Sequence, residues 1–300
     1  MIAVGNGMTS EKFEEAPRHI SDLRRFIRVF MGRKVVIFGM VVIGLLILAV
    51  VFAPWLAPYN PNAPSLKNTL AKPGSAHLLG TDSLGRDTLS RIIYGSRPAL
   101  VVGLVAVSIA GFIGMTLGLL AGFYSGAINS IIMRSMDALM SVPMILLAVT
   151  IAALLGGGLK NVVIALGIAS IPPYARLMCG QVLTVKQNDY ITASQAGGAS
   201  NLRIMLKHIF PNCFPPLIVL LTMRIGMAIL SEASLSFLGI GIKPPDAAWG
   251  SMVSEGYQNL LRAPLLSIAP GVSIMLVVFA FNMVGDGLRD ALDPKLRGTL

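Results

Sequence analysis

Long apolar runs alternate with polar connections along the chain, and the lengths of the runs set its architecture. A spanning helix needs about 20 apolar residues at ~1.5 Å each. Val35 to Leu56 supplies the first. No charge falls between Arg97 and Arg134, so a second runs from Pro98 to Phe123. Leu139 to Gly157 gives a third and Asn161 to Leu177 a shorter fourth. Phe214 to Leu238, interrupted by Arg224 and Glu232, is a fifth, and Pro264 to Gly285 a sixth. The pattern predicts an all-α polytopic bundle of six transmembrane helices with both termini on one side. It divides the chain into an N-terminal tail (1–34), a first span (35–56), a loop (57–97), a core of five spans (98–285) holding a long polar segment (189–212), and a C-tail (286–300).

Lys and Arg orient the bundle. With the N-terminus inside, 15 of the 24 basic residues lie on the inner side, 8 on the outer side, and Arg224 lies within a span. Both tails and the segment 189–212 are then cytoplasmic, and 57–97 is external. Composition agrees with lipid as the solvent: 54% of residues are apolar and 13% charged, against about 25% charged in soluble domains. Mean hydropathy is +0.74. The net charge of +10 follows from the loop bias, and no basic cluster is interleaved with aromatics, which argues against a nucleic-acid partner. The first apolar run has a long mixed-charge flank and no small-residue cleavage site, so it reads as an uncleaved anchor. Cys179 and Cys213 have no metal or redox spacing, and His19, His77 and His208 fall in three separate segments, so no metal site is expected.

Several residues stand out inside the spans. Pro143, Pro172, Pro173, Pro215, Pro216 and Pro270 lie in or beside them, which fits either kinks or helices lining a wet cavity. Gly114, Gly118 and Gly122 recur at four-residue spacing in "GMTLGLLAG", a stripe that lets another helix backbone approach without identifying it. Arg224 sits ~18 Å into a helix that begins near Asn212, too costly a position for lipid exposure. Glu232, the only acid in these spans, is ~12 Å further on and near enough to the outer end for hydration. The two fit a pathway or gate, or structural ion pairs with another helix or subunit. "SIPPYARLMCGQ" (170–181) is a further stretch suited to lining a path.

On the outer side, "GTDSLGRDTLSRIIYGSR" (80–97) reads as a short interfacial helix capped by Asp82 or Ser83 and ended by Gly95. Asp87 and Arg91 form an i,i+4 pair, and Leu84, Leu89, Ile92 and Ile93 face the membrane surface. "GIKPPDAAWGSM" (241–252) is a second outer segment, and either is a connector or a docking surface. At the C-terminus, Arg289 and Asp293 are four apart, and Pro294 stops the helix.

The polar segment "DYITASQAGGASNLRIMLKHIFPN" (189–212) is the longest water-facing stretch inside the core. Asp189 begins a helix, Gly197 and Gly198 break it, Ser200 caps a second helix, and Pro211 stops that one at re-entry into the membrane. This segment resembles the cytoplasmic EAA loop of ABC-importer permeases, E-A-A-x3-G-x9-I-x-L-P. Ala193, Gly198 and Pro211 match, while Thr192, Ser194, His208 and Phe210 depart from Glu, Ala, Ile and Leu. "LLGTDSLGRDTLSR", "EASLSFLGIGIKPPDAAWGSM" and "FNMVGDGLRDALDPKLRG" are similar, in the same order, to C-type permease subunits of dipeptide, oligopeptide, glutathione and nickel importers.

The resemblance implies a six-helix permease of a bacterial inner membrane, itself not an enzyme. Its coupling loop, with Thr192, Ala193, Ser194, Gly198, Arg203, Lys207 and Pro211, would dock into a cytoplasmic ATPase subunit. ATP and Mg would sit on two such ATPase chains, consistent with the lack of a G-x-x-x-x-G-K-[ST] loop here. A homologous second permease and an external substrate-binding protein complete the implied assembly, with membrane lipid around it. The alternative reading is a self-sufficient secondary transporter or channel.

Overall fold

A computed structural model describes residues 22–292, and among them the secondary structure is helical apart from one isolated bridge between Thr81 and Asp87. His19, Asp293 and Pro294 lie outside the described residues, and with them the expected Arg289–Asp293 pair. The elements are α1 (Asp22–Met31), α2 (Lys34–Leu56), α3 (Thr88–Phe123), α4 (Ala127–Met140), α5 (Met144–Leu154), α6 (Leu159–Ala169), α7 (Ile171–Val185), α8 (Asp189–Ala196), α9 (Asn201–Arg203), α10 (Phe210–Phe237), α11 (Trp249–Gln258) and α12 (Leu265–Leu292).

Among the described residues, five helices are long and apolar enough to cross a membrane: Lys34–Leu56, Thr88–Phe123, Leu159–Val185, Asn201–Phe237 and Leu265–Leu292. The sixth candidate is not one helix but a bent pair, α4 and α5, which meet at 86° and form either a broken span or a re-entrant loop. Pro143 stands between them, where its ring and missing N–H prevent a continuous helix. The third span expected from Leu139 to Gly157 is therefore replaced by the α4–α5 pair, whose second arm has only 11 residues.

Helix ends differ from expectation in three further places. The fourth span runs on past its expected end at Leu177 to Val185, with Pro172 and Pro173 in the first turn of α7, where a missing N–H is tolerated. The fifth begins at Asn201 and passes through Pro211 without stopping. A π-helical turn, Ile204–Ile209, bridges α9 to α10 and places Pro211 in the first turn of α10 rather than at a helix end. The interfacial helix expected at 82–97 does not exist as a separate element. Asp87 caps α3, accepting from Ser90 N at 2.8 Å, and the helix continues for 36 residues through Gly95 and Pro98. Leu84 lies before it in a turn, and Gly95 is an interior residue.

The bundle is built on α3 and α7. Gly114, Gly118 and Gly122 lie against α7: a Cβ on Gly118 would stand 2.3 Å from Ala175 O, and one on Gly122 2.7 Å from Val182 Cβ. The stripe thus packs within the chain. Leu119, Met178, Val182, Ile191, Ile204 and Ile209 make a core at the end carrying residues 189–212. At the other end Ala99, Ile229, Trp249, Met252 and Phe281 make another. α2 lies outside this frame against α12, with Gly39 facing the Ala280 carbonyl and much of its apolar surface open, as a lipid-facing helix requires. Arg33 Nη1 and Asp290 Oδ2 meet at 2.6 Å as an ion pair out of hydrogen-bond alignment. This contact puts the start of α2 and the end of α12 on one side of the bundle.

Candidate functional site

Three regions hold the residues singled out by sequence. The first is the loop at 189–212. α8 ends at Ala196, and the chain turns at Gly198, whose φ of +77° suits glycine. Ser200 Oγ accepts from Arg203 N at 3.4 Å and opens α9. The apolar side of this hairpin is fixed: Ile191, Ile204, Met205 and Ile209 are buried against the ends of α3 and α7. Its other side is bare. Thr192, Ala193, Gly198, Arg203, Lys207 and Pro211 are exposed, Ser194 and His208 partly so, and nothing lies within 4 Å of a Cβ built on Gly198. The result is a rigidly seated projection whose tip offers open backbone and two cations.

The second region lies at membrane depth, where α4, α7 and α10 meet. Arg224 is half-buried on α10, about 20 Å from the helix end at Phe237. Among the described residues it has no ion-pair partner and no side-chain hydrogen bond. Insertion scales put such an Arg at about 3 kcal/mol or more if it faced lipid. Arg176, counted with the cytoplasmic charges although the expected span Asn161 to Leu177 already held it, lies within the fourth crossing and pairs with Asp137 of α4. Asp137 therefore joins Glu232 as an acid on the apolar helices of the core, where only one was expected. Both partners of the Arg176–Asp137 pair are about half exposed (49% and 57%), so this face of the chain borders water or protein rather than lipid. Tyr174 is fully buried beside them with its hydroxyl unpartnered, a state that costs roughly 1–3 kcal/mol. Sequence reasoning passed over Asp137 and reached Tyr174 only as one residue of the stretch 170–181. The signal for Asp137 was available, since it is the only acid between Asp87 and Asp189. Nothing in the sequence marks Tyr174, because its isolation arises from packing.

The third region is the opposite end of the bundle. Asp82, 1% exposed, receives Arg86 Nε at 2.6 Å and the backbone N–H groups of Leu84 and Arg86. Arg91 Nε stands 3.4 Å from the same carboxylate, close enough for attraction but unaligned for a hydrogen bond. Arg86 also reaches Glu255 of α11 at 3.5 Å, and Glu255 accepts from Ser83 N at 2.9 Å. The expected Asp87–Arg91 pair does not form: Asp87 holds His77 Nδ1 at 2.9 Å and caps α3, while Arg91 donates to Pro61 O at 3.0 Å. Trp249 Nε1 donates to Ile92 O, and its ring occupies the space left by the missing Gly95 side chain. Residues 57–97 are thereby tied to α3 and α11 as one rigid platform.

Glu232 belongs to this end, but it is buried, 1% exposed, not hydrated. Ser236 Oγ donates to it at 2.5 Å and accepts from Ile242 N at 3.1 Å. The turn after α10 folds back over the carboxylate, with Gly241 against Ser236 and Gly250 against Ala233 too closely for any side chain. Glu232 has no ion-pair partner among the described residues. Its observed contacts are those of an anchor for this turn, so Arg224 and Glu232 are not brought together. Both cysteines are buried and free, and no three His, Cys, Asp or Glu side chains converge on a metal-sized site among the described residues.

Comparison with known proteins accords with this layout. Residues 114–298 match the family described as binding-protein-dependent transport system inner membrane component, and residues 21–73 match the N-terminal TM domain of oligopeptide transport permease C. The chain is 45% identical to a di/tripeptide transport system permease protein of Pseudomonas aeruginosa, over 92% of this chain and 93% of that one. It is 45% identical to a glutathione transport system permease protein of Pectobacterium atrosepticum, over 91% of each. A probable D,D-dipeptide transport system permease protein of Escherichia coli is 42% identical over 91% of this chain and 92% of the relative. Among solved structures, a chain of an inward-facing methionine ABC transporter superposes with a TM-score of 0.54 at 18% identity, covering 68% of this chain and 96% of that one, which shows the shared fold. The chain belongs to the family of binding-protein-dependent transport system inner membrane components, as an ABC-importer permease subunit of the oligopeptide permease C type.

Proposed function

We propose that this permease carries short peptides, di- and tripeptides or the tripeptide-like glutathione, across the bacterial inner membrane. As a component of a binding-protein-dependent importer it works with an ATPase and a binding protein. The finer assembly we propose is one homologous second permease, two cytoplasmic ATPase chains that hold ATP and Mg, and a binding protein resting on the platform at 57–97. Both tails and the loop 189–212 then face the cytoplasm, as the Lys and Arg count favours.

The observation that carries the coupling role is the loop itself: buried along one side by Ile191, Ile204, Met205 and Ile209, and bare at Gly198 on the other. A partner surface meeting that tip moves a body already locked to α3, α7 and α10. Substrate class rests on relatives that are named for peptide and glutathione transport and match this chain across about nine-tenths of its length.

The test is ATP-driven uptake of a labelled dipeptide by the complete importer in lipid vesicles. Gly198→Trp is expected to abolish uptake and co-purification of the ATPase while the chain stays in the membrane. Gly198→Asn, which tolerates a positive φ, separates contact from backbone strain and is expected to lose uptake as well. Normal uptake in both variants overturns the docking role. Failure of the wild-type importer to move any short peptide overturns the substrate.

A further inference from the structure

We infer that Arg224 and Tyr174 form a carboxylate subsite on the translocation face, which receives the free C-terminal carboxylate of the transported peptide. The inference rests on the peptide reading above and adds where one end of the substrate is held.

Four observations converge on it. Arg224 stands on a crossing helix with no anionic partner among the described residues. Arg176 of α7, also on this face, is already neutralised by Asp137, so the one acid on α4 is occupied. Charges on α4 and α7 are open to the surface at membrane depth, which marks the α4–α7–α10 face as bordering water or a second subunit. Finally, the buried Tyr174 hydroxyl has no partner. Tyr174 packs in one cluster with Leu220, Leu221, Ile225 and Ala228, the residues that flank Arg224 along α10.

One cation beside one unsatisfied hydroxyl donor, with no resident anion, complements a carboxylate. The guanidinium presents paired N–H donors to the two carboxylate oxygens, and the phenol supplies a further donor. Di- and tripeptides of any sequence share a terminal carboxylate, so a fixed cation on the path recognises them without reading side chains. A rival role for Arg224 is a structural pair with an acid of the second permease.

The test compares uptake of one dipeptide with that of its C-terminal amide by the complete importer in vesicles. The binding protein's own preference enters both wild type and variant, so it cancels when their acid-to-amide ratios are compared. Arg224→Gln is expected to lower that ratio about tenfold, the loss of one charge-assisted contact, and Arg224→Lys to lower it less. Tyr174→Phe, which keeps the packing shape, is expected to lower it about threefold and serves if Arg224→Gln does not assemble. An unchanged ratio in these variants overturns the subsite, and an unchanged ratio with loss of the second permease on purification assigns Arg224 to subunit pairing. If the wild type takes up neither compound while its binding protein still stimulates ATP hydrolysis, the peptide reading itself has failed.

Discussion

At the scale of single residues, the glycine stripe is where sequence spacing and packing meet most directly. Lipid tails give helices no hydrophobic reason to associate, so contact must come from close approach. Gly114, Gly118 and Gly122 provide it for α3, and the backbone of α7 fills the space: Ile171 O, Ala175 O and Cys179 O all lie 3.0 Å or less from the missing Cβ positions. Gly180 on α7 is the internal contrast, since nothing lies within 4 Å of a Cβ there. Gly118→Ala is therefore expected to push α3 from α7 and destabilise the purified complex by roughly 1–3 kcal/mol, read as a lower melting temperature. Gly180→Ala is expected to leave the melting temperature unchanged or slightly higher. Equal effects of the two substitutions count against the stripe as the contact that holds the bundle.

At the scale of elements, apolar run length located the five helices long enough to cross, whereas local punctuation located their ends poorly. Gly95 has the look of a helix stop, yet it lies mid-helix because Trp249, 154 positions away, needs the room. Pro211 has the look of a terminator, yet the π-helical turn before it carries the helix through. The bend at Pro143 was legible as a proline, but its 86° depends on how α4 and α5 pack, which no local pattern encodes. The loop at 189–212 was more legible, since its Gly198 turn and Ser200 cap are short-range chemistry. Least legible was the platform at 57–97, because its carboxylates choose partners across the fold: Asp82 takes Arg86 and Arg91, and Glu255 reaches Ser83 and Arg86. Asp82→Asn leaves both buried guanidinium groups without their shared anion. Removing one partner of a buried pair costs about 3–5 kcal/mol. The expected outcome is a platform that opens, read as new protease cleavage within 57–97 in right-side-out vesicles, with the crossings themselves still protected. Wild-type protease resistance in that variant counts against Asp82 as the anchor.

At the scale of the whole molecule, one element joins the two ends. Asn201–Phe237 is a single helix of 37 residues, about 55 Å long, that begins three residues after Gly198 and ends beside the Glu232–Ser236–Ile242 anchor. Arg224 rides on it between those points. A displacement applied at the loop tip therefore reaches the far turn through continuous backbone, and the π-helical turn at Ile204–Ile209 is the one irregular joint on the way. Such a turn amounts to one residue more than an α-helix needs, and it sets the rotation of α8 and α9 about the axis of α10. It also lets Ile204, Met205 and Ile209 all reach the buried core at the ends of α3 and α7 while Lys207 stays outside. Inserting one alanine beside the exposed Leu206 adds a residue that the turn, already one over, does not absorb, and rotates everything before it by about 100° relative to α10. The loop's bare face then no longer points along the direction that α10 transmits. Expected results are normal insertion of the chain, lost uptake, and ATP hydrolysis that no longer responds to the liganded binding protein. Replacing Leu206 by Ala, which keeps the residue count, is expected to leave that response in place. If the insertion variant still transports, the orientation of the loop about the helix axis is not what couples it to the path.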